Sequence, residues 1–517
     1  MRGFHSITSI PLHSCQQLYR LSMSELDDAY RAVQALELKK SHLLKEANEV
    51  DLELRHAKAK HGRLLNRMNA HIFKLPNEIL SHIFMECQRT PGRKVMPVSF
   101  EILVSHVSSM FRQIAVGTPL LWTAIVVKVR PRQPVARKIL EWKLERVRVY
   151  LERSASCPFT TTFDILGPFE FQVEQILDLI SKHASRWLRL SISMRNPPAT
   201  TLEIWQALHM LCVPALEHVS ILLSKLPVAG NHLTDGSESI DNTPLIFREG
   251  APSLKFVRLS GIALGCLQPP LELVETLHLS SCSLNYSSFH SILSGIPNLL
   301  NLSLHRIHII DRPTDCAPIQ LTQLISLRLC GNLSDEARQT HRILRKLNTP
   351  ALESLVLKGL DAFDEQVFPT VHTLTLHQCP FSAGEMFRML RAFPALTTFR
   401  LDESLPDVLD LLGMPDTAGK PPWPKLHTLA VTDMEPADVA LLCDMVSRRQ
   451  TMGTPLSCVL LDRRSRVVLR KKNQLEWLQK TPGLQVDRHD GVYSWPVGLE
   501  YEDHDEGFWD ADFPREF

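Results

Sequence analysis

The side chains that could perform covalent or metal chemistry are scattered along this sequence. Eleven cysteines occur in 517 residues, and the closest two, Cys316 and Cys330, stand 14 residues apart. This spacing excludes the paired-cysteine zinc pattern and is typical of reduced thiols in a cytoplasmic or nuclear protein. The sequence also lacks the phosphate-loop, dinucleotide-binding, zinc-protease and serine-hydrolase motifs. We therefore expect no catalytic residue, no metal ion and no cofactor, and we predict that the chain is not an enzyme.

Non-covalent binding of an anion is a chemistry that the sequence does offer. A phrase L-x-x-L-x-L recurs, and a small polar residue precedes its second apolar position in seven copies: Thr276, Asn301, Ser326, Ser354, Thr373, Thr398 and Thr428. Neighbouring positions supply Asp402 and six candidate target-binding cations: His278, His305, Arg328, Lys358, His377 and Arg400. Such a set suits an acidic or phosphorylated target protein. An ordinary solvated face has the same composition and is the more common explanation.

The repeated phrase also predicts the elements that would hold these side chains. Its copies are 19 to 38 residues apart and begin at Trp187, Leu216, Leu254, Val274, Leu299, Leu324, Leu352, Val371, Leu396 and Leu426. Most of these spacings match leucine-rich repeats, in which a strand is followed by a helix. Helices are expected at residues 287–293, 335–347, 384–393 and 437–448. Stacked units share one core, so the residues between the leucines should lie on a concave face.

Smaller features complete the repeat region. Residues 230–241 are rich in Ser, Gly and acids, and they predict a loop that accounts for the longest gap. Cys282 and Cys379 follow the last leucine of a phrase and fit buried packing positions. Residues 136–165 predict a helix and then a strand.

Residues 75–122 predict a separate three-helix module. A helix should begin near Pro76 and end by about Gln88, because apolar residues recur there at helical spacing. Two short helices should follow, turning near Ser108 and ending at Gly117 and Pro119. So short a module cannot bury all its apolar side chains. It therefore either docks on a partner or packs against the next domain, and the residue pattern alone leaves both open.

The same module resembles the F-box-like proteins of mushroom-forming (basidiomycete) fungi, which also carry leucine-rich repeats. The resemblance rests on LPNEIL and IF at its start, on V-x-x-x-F-R-x-I from Val107, and on TP-x-LW before residue 123. A run similar to LERS-x-x-CP, here ending at Pro158, follows the box in that family. The resemblance implies that a Skp-type adaptor docks on Leu75, Pro76, Ile79, Leu80, Ile83, Phe84, Val107 and Phe111.

The family resemblance implies that the chain recruits a target protein to a ubiquitin ligase. The chain would be a non-catalytic substrate-receptor subunit of an SCF-type cullin ubiquitin ligase. Its module would hold the adaptor and cullin core, and its repeats would hold an unidentified protein substrate. The alternative is a leucine-rich repeat scaffold for protein interactions that has lost the ligase. An exposed face at residues 75–84 favours recruitment, whereas a face buried against residues 126–180 favours the scaffold.

A heptad pattern precedes the module. One seam position holds Leu26, Val33, Lys40, Ala47, Leu54, His61 and Met68, and the other holds Ala29, Leu36, Leu43, Val50, Ala57 and Leu64. The pattern predicts a coiled coil of about 60 Å and self-association through residues 26–68. An amphipathic helix folded back onto its own chain is the alternative.

The overall charge and the two ends complete the prediction. A net charge of +1 argues against nucleic acid as the main partner, and no apolar run is long enough for a membrane span. Six basic residues between Arg463 and Lys472 fit a nuclear localisation signal, a nucleic-acid patch or, more commonly, a solvated edge. The acidic and aromatic tail fits a solvated segment or a docking peptide. We expect a cytoplasmic or nuclear location.

The predicted fold class is α+β and multi-domain, with an N-terminal coiled-coil helix, a three-helix F-box-like module and a C-terminal strand–helix solenoid arc of leucine-rich repeats. The predicted boundaries are a disordered leader at 1–24, the coiled coil at 25–70, the F-box-like domain at 71–125, a connecting helix and strand at 126–182, the repeats at 183–487 and the tail at 488–517.

Overall fold

The computed structural model describes residues 12–69, 71–89, 99–129, 137–166, 170–195, 205–224, 243–310, 317–331, 342–360, 363, 366–379, 381–402, 406–415 and 421–488. The predicted loop at 230–241 and nearly all of the predicted tail lie outside these residues. The chain divides into two compact units, Met1–Ile83 and Phe84–Phe517. Its class is α+β, as predicted, with a large parallel sheet. No described helix is long and apolar enough to cross a membrane.

The first unit is dominated by one helix, α1 (Leu12–Asn69). This helix begins before residue 25, so the leader predicted to be disordered is helical from Leu12 onward. The seven described leucines and valines of the predicted seam are all 48–66% exposed. The coiled coil and the alternative of a helix folded back onto its own chain both stay predictions. A short 3-10 helix, His71–Lys74, precedes α2 (Asn77–Arg89).

The second unit begins within α2, at Phe84, and continues with the other short helices of the predicted three-helix module. They are α3 (Phe100–Ser105), α4 (Ser109–Val116) and the 3-10 turn Pro119–Trp122. The predicted turn near Ser108 is confirmed, because the Ser108 hydroxyl caps α4 by accepting a hydrogen bond from the backbone N–H of Phe111 at 3.1 Å. Gly117 caps the other end of α4.

The rest of the second unit alternates strands with helices. Its strands are β1 (Ala124–Val129), β2 (Phe159–Leu166), β3 (Trp187–Arg195), β4 (His218–Ser224), β5 (Phe256–Gly261), β6 (Thr276–Ser280), β7 (Ser283–Leu284), β8 (Asn301–His305), β9 (His308–Ile309), β10 (Ile319–Gln320), β11 (Ser326–Cys330), β12 (Leu347–Asn348), β13 (Ser354–Lys358), β14 (Thr373–His377), β15 (Thr398–Asp402), β16 (Thr428–Thr432), β17 (Cys458–Leu461) and β18 (Gln485–Arg488). Its further helices are α5 (Arg137–Arg153), α6 (Glu170–Ser181), α7 (Ala263–Cys266), α8 (Tyr286–Ser294), α9 (Ala383–Ala392), α10 (Pro406–Gly413), α11 (Asp438–Thr451), α12 (Arg463–Lys471) and α13 (Leu475–Lys480), with 3-10 turns at Ala184–Arg186 and Trp205–Leu208.

Fourteen of the described strands form one sheet, and their order in the sheet is their order in the chain. The short strands β7 and β9, and likewise β10 and β12, pair separately. Three predicted helices are confirmed as α8, α9 and α11. The helix predicted at 335–347 falls mostly outside the described residues, and β12 begins at Leu347.

The sheet begins earlier than the boundary predicted at residue 183. Strands β1 and β2 of the predicted connecting segment pair in parallel with each other, and β2 pairs with β3. Their inward residues are Ile, Val, Phe and Thr rather than Leu, so a search for a leucine phrase misses them. Strands β17 and β18 also lie beyond the last predicted phrase, although Leu456 repeats the pattern 30 residues after Leu426.

Similar turns precede and follow many of the strands. All ten predicted first positions of the phrase are buried, with exposed fractions of 0–2%. The backbone N–H of each of the ten donates to the carbonyl three residues earlier. The residue after several strands has positive φ, as at Ser281, Arg306, Gln378 and Asp433, and Gly359 follows β13 with φ +64°. Recurrent entry and exit turns keep successive strands in register.

Candidate protein-interaction surfaces

The start of α2 carries an exposed apolar patch. Ile72, Leu75 and Ile79 are 40%, 36% and 48% exposed, and Pro76 beside them is also exposed. The Pro76 carbonyl accepts the first hydrogen bond of the helix, from the backbone N–H of Leu80 at 3.1 Å. Because residues three and four apart share one side of a helix, Leu75 and Ile79 point in the same direction. Ile83, one turn further, is half-buried.

Three of the eight residues predicted to dock an adaptor are buried instead. Leu80, Phe84 and Phe111 are exposed by only 0%, 3% and 7%. The rings of Phe84 and Phe111 meet edge to face with their centroids 5.1 Å apart. These three side chains form part of the core. Of the other five, Leu75, Pro76, Ile79 and Val107 are exposed and Ile83 is half-buried, and their contact with an adaptor stays a prediction.

A second exposed apolar patch lies on α3, α4 and the turns beside them. Val107, which the resemblance assigned to the adaptor, is 61% exposed. Leu103, Val116 and Leu120 are 37%, 38% and 48% exposed. Contiguous exposed apolar groups are typical of surfaces that contact another protein.

The opposite side of α3 and α4 is fixed to α5. The Trp122 indole N–H donates to the Ala115 carbonyl at 2.8 Å, and the indole meets the Tyr150 ring at a centroid distance of 5.2 Å. The Tyr150 hydroxyl donates to the Glu101 carboxylate, which is buried. Burial first, and then Glu101, raises the pKa of Tyr150. This part of the predicted module therefore packs on the chain itself.

A groove of about 360 Å³ separates α3 and α4 from α5. Its charged lining includes Arg112 and Arg146, which are held by hydrogen bonds to the Ser105 carbonyl and the Ser99 hydroxyl. Glu145 is the single carboxylate among the lining residues. Arg112 and Arg146 therefore serve hydrogen bonds that hold the walls of the groove together.

The polar column predicted between the leucines is confirmed by the register of the sheet. Thr276 is aligned with Asn301, Asn301 with Ser326, and the alignment continues through Ser354, Thr373, Thr398 and Thr428. The Asn301 side-chain amide donates to the Thr276 hydroxyl at 3.0 Å. Because alternate residues of a strand share a face, the cations two and four positions further on lie on this same face.

These cations form two neighbouring rows. In the first row Arg258 is aligned with His278, and Arg328 lies two strands from His278 across Ser303. In the second row Lys358 is aligned with His377, and His305 lies two strands from Lys358 across Cys330. Arg400 is aligned with Thr375 and extends the first row. We call this set the cationic lane: Arg258, His278, His305, Arg328, Lys358, His377 and Arg400.

Arg258 was missed in the sequence. It follows the phrase beginning at Leu254, and it stands at the same position as His278 does in the next phrase. Reading the row one strand further toward the N-terminus identifies it.

The centre of the cationic lane is buried. His278, His305, Arg328 and Lys358 are exposed by only 4%, 3%, 1% and 2%, while His377 and Arg400 are half-buried. The prediction of an ordinary solvated face is therefore wrong at the centre of the sheet. Burial, followed by the charges of Arg258, Arg328 and His305, lowers the pKa of His278 well below 6.5. Arg328 and Lys358 therefore place basic groups in a buried part of the sheet.

Two cysteines among the repeats, Cys282 and Cys379, have poorly ionised thiols. Cys282 and Cys379 are buried as predicted, and burial raises their pKa values to about 12 and about 11. Each thiol donates to a backbone carbonyl, of Ser280 and of His377 respectively. No group of three or more His, Cys, Asp or Glu within the described ranges is placed to hold a metal ion.

The basic cluster from Arg463 lies on α12. Ser465 and Leu469 are its buried side, whereas Arg463, Arg464, Arg470 and Lys471 are exposed. Arg464 pairs with Asp433 at 2.8 Å. This arrangement agrees with the solvated edge that was the more common expectation.

Comparison with known proteins adds no relative. No protein-family model matches the chain, and no curated protein is similar to it.

Proposed function

We propose that this chain is a non-catalytic substrate-receptor subunit of an SCF-type cullin ubiquitin ligase, as its resemblance to fungal F-box-like proteins implies. The α2 patch (Ile72, Leu75, Pro76 and Ile79) and the patch around Val107 would each contact a Skp-type adaptor. The observation that carries the proposal is the exposure of Leu75 and Ile79, since an exposed face was the feature expected of a recruiting module.

The strand-ordered parallel sheet supports the target-binding half of the proposal. Strands in chain order, buried phrase positions and recurring turns are features of a leucine-rich repeat solenoid. Of the candidate target-binding cations, the half-buried His377 and Arg400 would contact an acidic or phosphorylated segment of the target, because His278, His305, Arg328 and Lys358 are buried. Tethering the target beside a conjugating enzyme raises the effective concentration of its lysines to about the millimolar range, with no catalytic group from this chain.

The binding of a Skp-type adaptor tests the proposal. Ile79→Asp places a charge in the α2 patch and should weaken binding at least 100-fold, measured by biolayer interferometry with the full chain. Val367→Asp is the matched control, because Val367 is similarly exposed, at 55%, but lies among the repeats. Phe84→Asp is unsuitable because a charge in that core position would unfold the module. Absence of binding by the wild-type chain would refute the proposal.

The second candidate is a repeat scaffold without a ligase. It is favoured by the packing of Trp122 and Glu101 against Tyr150 of α5, since a module that packs on its own chain is what a scaffold would need. A scaffold would retain its target while wild type and Ile79→Asp both fail to bind the adaptor.

A further inference from the structure

We propose that α1 pairs with α1 of a second copy of this chain in antiparallel orientation, in the register that places the two Leu44 side chains next to each other at the centre. The heptad pattern predicts self-association but leaves the direction of the two helices open. The pairing concerns α1 alone and does not depend on adaptor binding.

The exposed apolar stripe of α1 is wider than the seam. Beside the seam leucines and valines, which are 48–66% exposed, Tyr30, Leu44 and Leu65 are 63%, 57% and 43% exposed. Each of these three directly follows the second seam position, so they widen the same stripe. A stripe that runs from Leu26 to Leu65 along one helix fits a partner helix of equal length, and a second α1 has that length.

The sizes of the seam residues distinguish the two directions. In a parallel, in-register pair each seam residue meets its own copy, so Ala29, Ala47 and Ala57 would form three layers of alanine on alanine. The antiparallel register joins different seam positions, in these layers: Leu26 with Leu64, Ala29 with His61, Val33 with Ala57, Leu36 with Leu54, Lys40 with Val50 and Leu43 with Ala47. Every alanine then faces a larger side chain. Because facing small and large residues fill an interface, the sizes favour the antiparallel pair.

The charged seam residue Lys40 distinguishes the two directions as well. A parallel pair would place the two Lys40 side chains in one layer, with Lys39 of both helices beside them. Like charges at this spacing repel each other. In the antiparallel register Lys40 instead faces Val50, with Glu53 of the other copy within reach of its ammonium group. The repulsion between the two Lys40 residues is thereby removed.

The residues that flank the seam find complementary partners in the same register. Lys39 and Glu53 each directly precede a first seam position, and such residues face each other across an antiparallel pair. This joins Lys39 of each copy to Glu53 of the other, and on the opposite flank it joins Leu44 to Leu44. A parallel pair would set the Lys39 ammonium group against Leu44, which suits neither side chain.

Contacts between acids do not decide the direction. In the antiparallel register Glu37 approaches Asp51, and Glu46 approaches its own copy, whereas a parallel pair brings Glu46 to Asp51. Within its own helix Asp51 pairs with Arg55 at 2.6 Å, and Glu46 lies 3.4 Å from His42. Because both directions contain contacts between acids, the seam layers and the Lys39–Glu53 pairs carry the choice.

Cross-linking between isotopically distinct copies tests the direction. Full-length light and heavy-isotope chains are mixed, left to exchange and treated with a zero-length carbodiimide, and the products are identified by mass spectrometry. The expected product joins Lys39 Nζ of one isotope to the Glu53 carboxylate of the other. Within one helix, or in a parallel pair, these exposed residues are about 21 Å apart at 1.5 Å per residue, so only antiparallel helices give this product.

Lys39→Arg is the matched control for the cross-link. It keeps the charge but does not react with an activated carboxylate, so the product should be lost while association persists. A mixed-isotope product between Glu53 and Lys58, without one between Lys39 and Glu53, would indicate a parallel pair and overturn the proposal.

Charge exchange gives a second test, with association measured by analytical ultracentrifugation. Lys39→Glu and Glu53→Lys should each weaken association about fivefold, and the two changes together in one chain should restore it, because the exchanged residues face each other again. Lys45→Glu should leave association unchanged, since Lys45 is exposed on the side away from the seam. In a parallel pair Glu53 faces Lys58, so the combined variant would stay as weak as Glu53→Lys. That result, or a wild type that sediments as a monomer, would overturn the proposal.

Discussion

Helix α1 and the cationic lane depart from the usual distribution of residues in opposite directions. The α1 seam leaves leucines and valines 48–66% exposed, whereas the sheet buries Arg328 and Lys358 to 1% and 2%. Covering exposed apolar groups with another apolar surface lowers the free energy of the system. Buried cations instead require a counter-charge. The exposed seam of α1 therefore favours contact with another apolar surface, whereas the buried cations depend on acceptors that compensate their lost hydration.

The largest expected effect is the loss of self-association through α1. Leu36→Asp with Leu43→Asp places charges on the seam in every copy and should weaken association at least 1,000-fold, measured by analytical ultracentrifugation. Leu38→Asp is the matched control, because Leu38 is 77% exposed and lies off the seam. A wild-type chain that sediments as a monomer would contradict self-association through α1.

The same Leu→Ala change should have different effects in the two regions. Leu302 is 0% exposed in the sheet core, so Leu302→Ala should lower the free energy of unfolding of the second unit by about 2–5 kcal/mol. Leu36→Ala should leave that transition unchanged, because Leu36 is 66% exposed. Urea denaturation followed by tryptophan fluorescence measures both. Equal losses of unfolding free energy in Leu302→Ala and Leu36→Ala would mean that α1 and the sheet unfold in one transition.

Gly→Ala substitutions in the sheet and in α1 should change stability in opposite directions, by smaller amounts. Gly359 has φ +64°, and an added Cβ would lie 2.4 Å from the Gly331 carbonyl oxygen, so Gly359→Ala should cost about 1–3 kcal/mol. Gly62 lies inside α1 with nothing within 4 Å of its added Cβ. Gly62→Ala should therefore raise helix stability by about 1 kcal/mol. Thermal unfolding followed by circular dichroism should show shifts of opposite sign, and a stabilising Gly359→Ala would contradict the tight strand exit.

The smallest expected effect concerns the N-terminal cap of α9. Its removal tests whether a single capping interaction stabilises a helix among the repeats. The Ser382 hydroxyl accepts the backbone N–H of Glu385, and the Glu385 carboxylate accepts the backbone N–H of Ser382. Ser382→Ala should lower stability by about 0.5–2 kcal/mol. Ser382→Thr should retain most of the stability, because its hydroxyl can accept the same hydrogen bond. Equal melting temperatures for Ser382→Ala and the wild type would show that the cap is dispensable.

The elements that the sequence predicted well are those with local signals. The turn at Ser108, the helix from Pro76 and the polar column from Thr276 to Thr428 follow from spacing and capping rules that act within a few residues. The sequence alone missed β1 and β2, because β-branched and aromatic residues replace leucine there. Burial was the least predictable feature. Phe84 and Leu80 share a helix with exposed Ile79, and Arg328 is buried although its strand position is polar, since burial depends on segments distant in the sequence.

The central claim is that the chain recruits a ubiquitin ligase. Its most direct test is reconstitution of the full chain with a Skp-type adaptor, a cullin core, and ubiquitin-activating and ubiquitin-conjugating enzymes, with ubiquitin attached to lysines of the chain itself as the readout. The account predicts modification of the wild type, loss of at least nine-tenths of it in Ile79→Asp, and retention in Val367→Asp. Equal modification of wild type and Ile79→Asp, with a core that is active on another receptor, would contradict it.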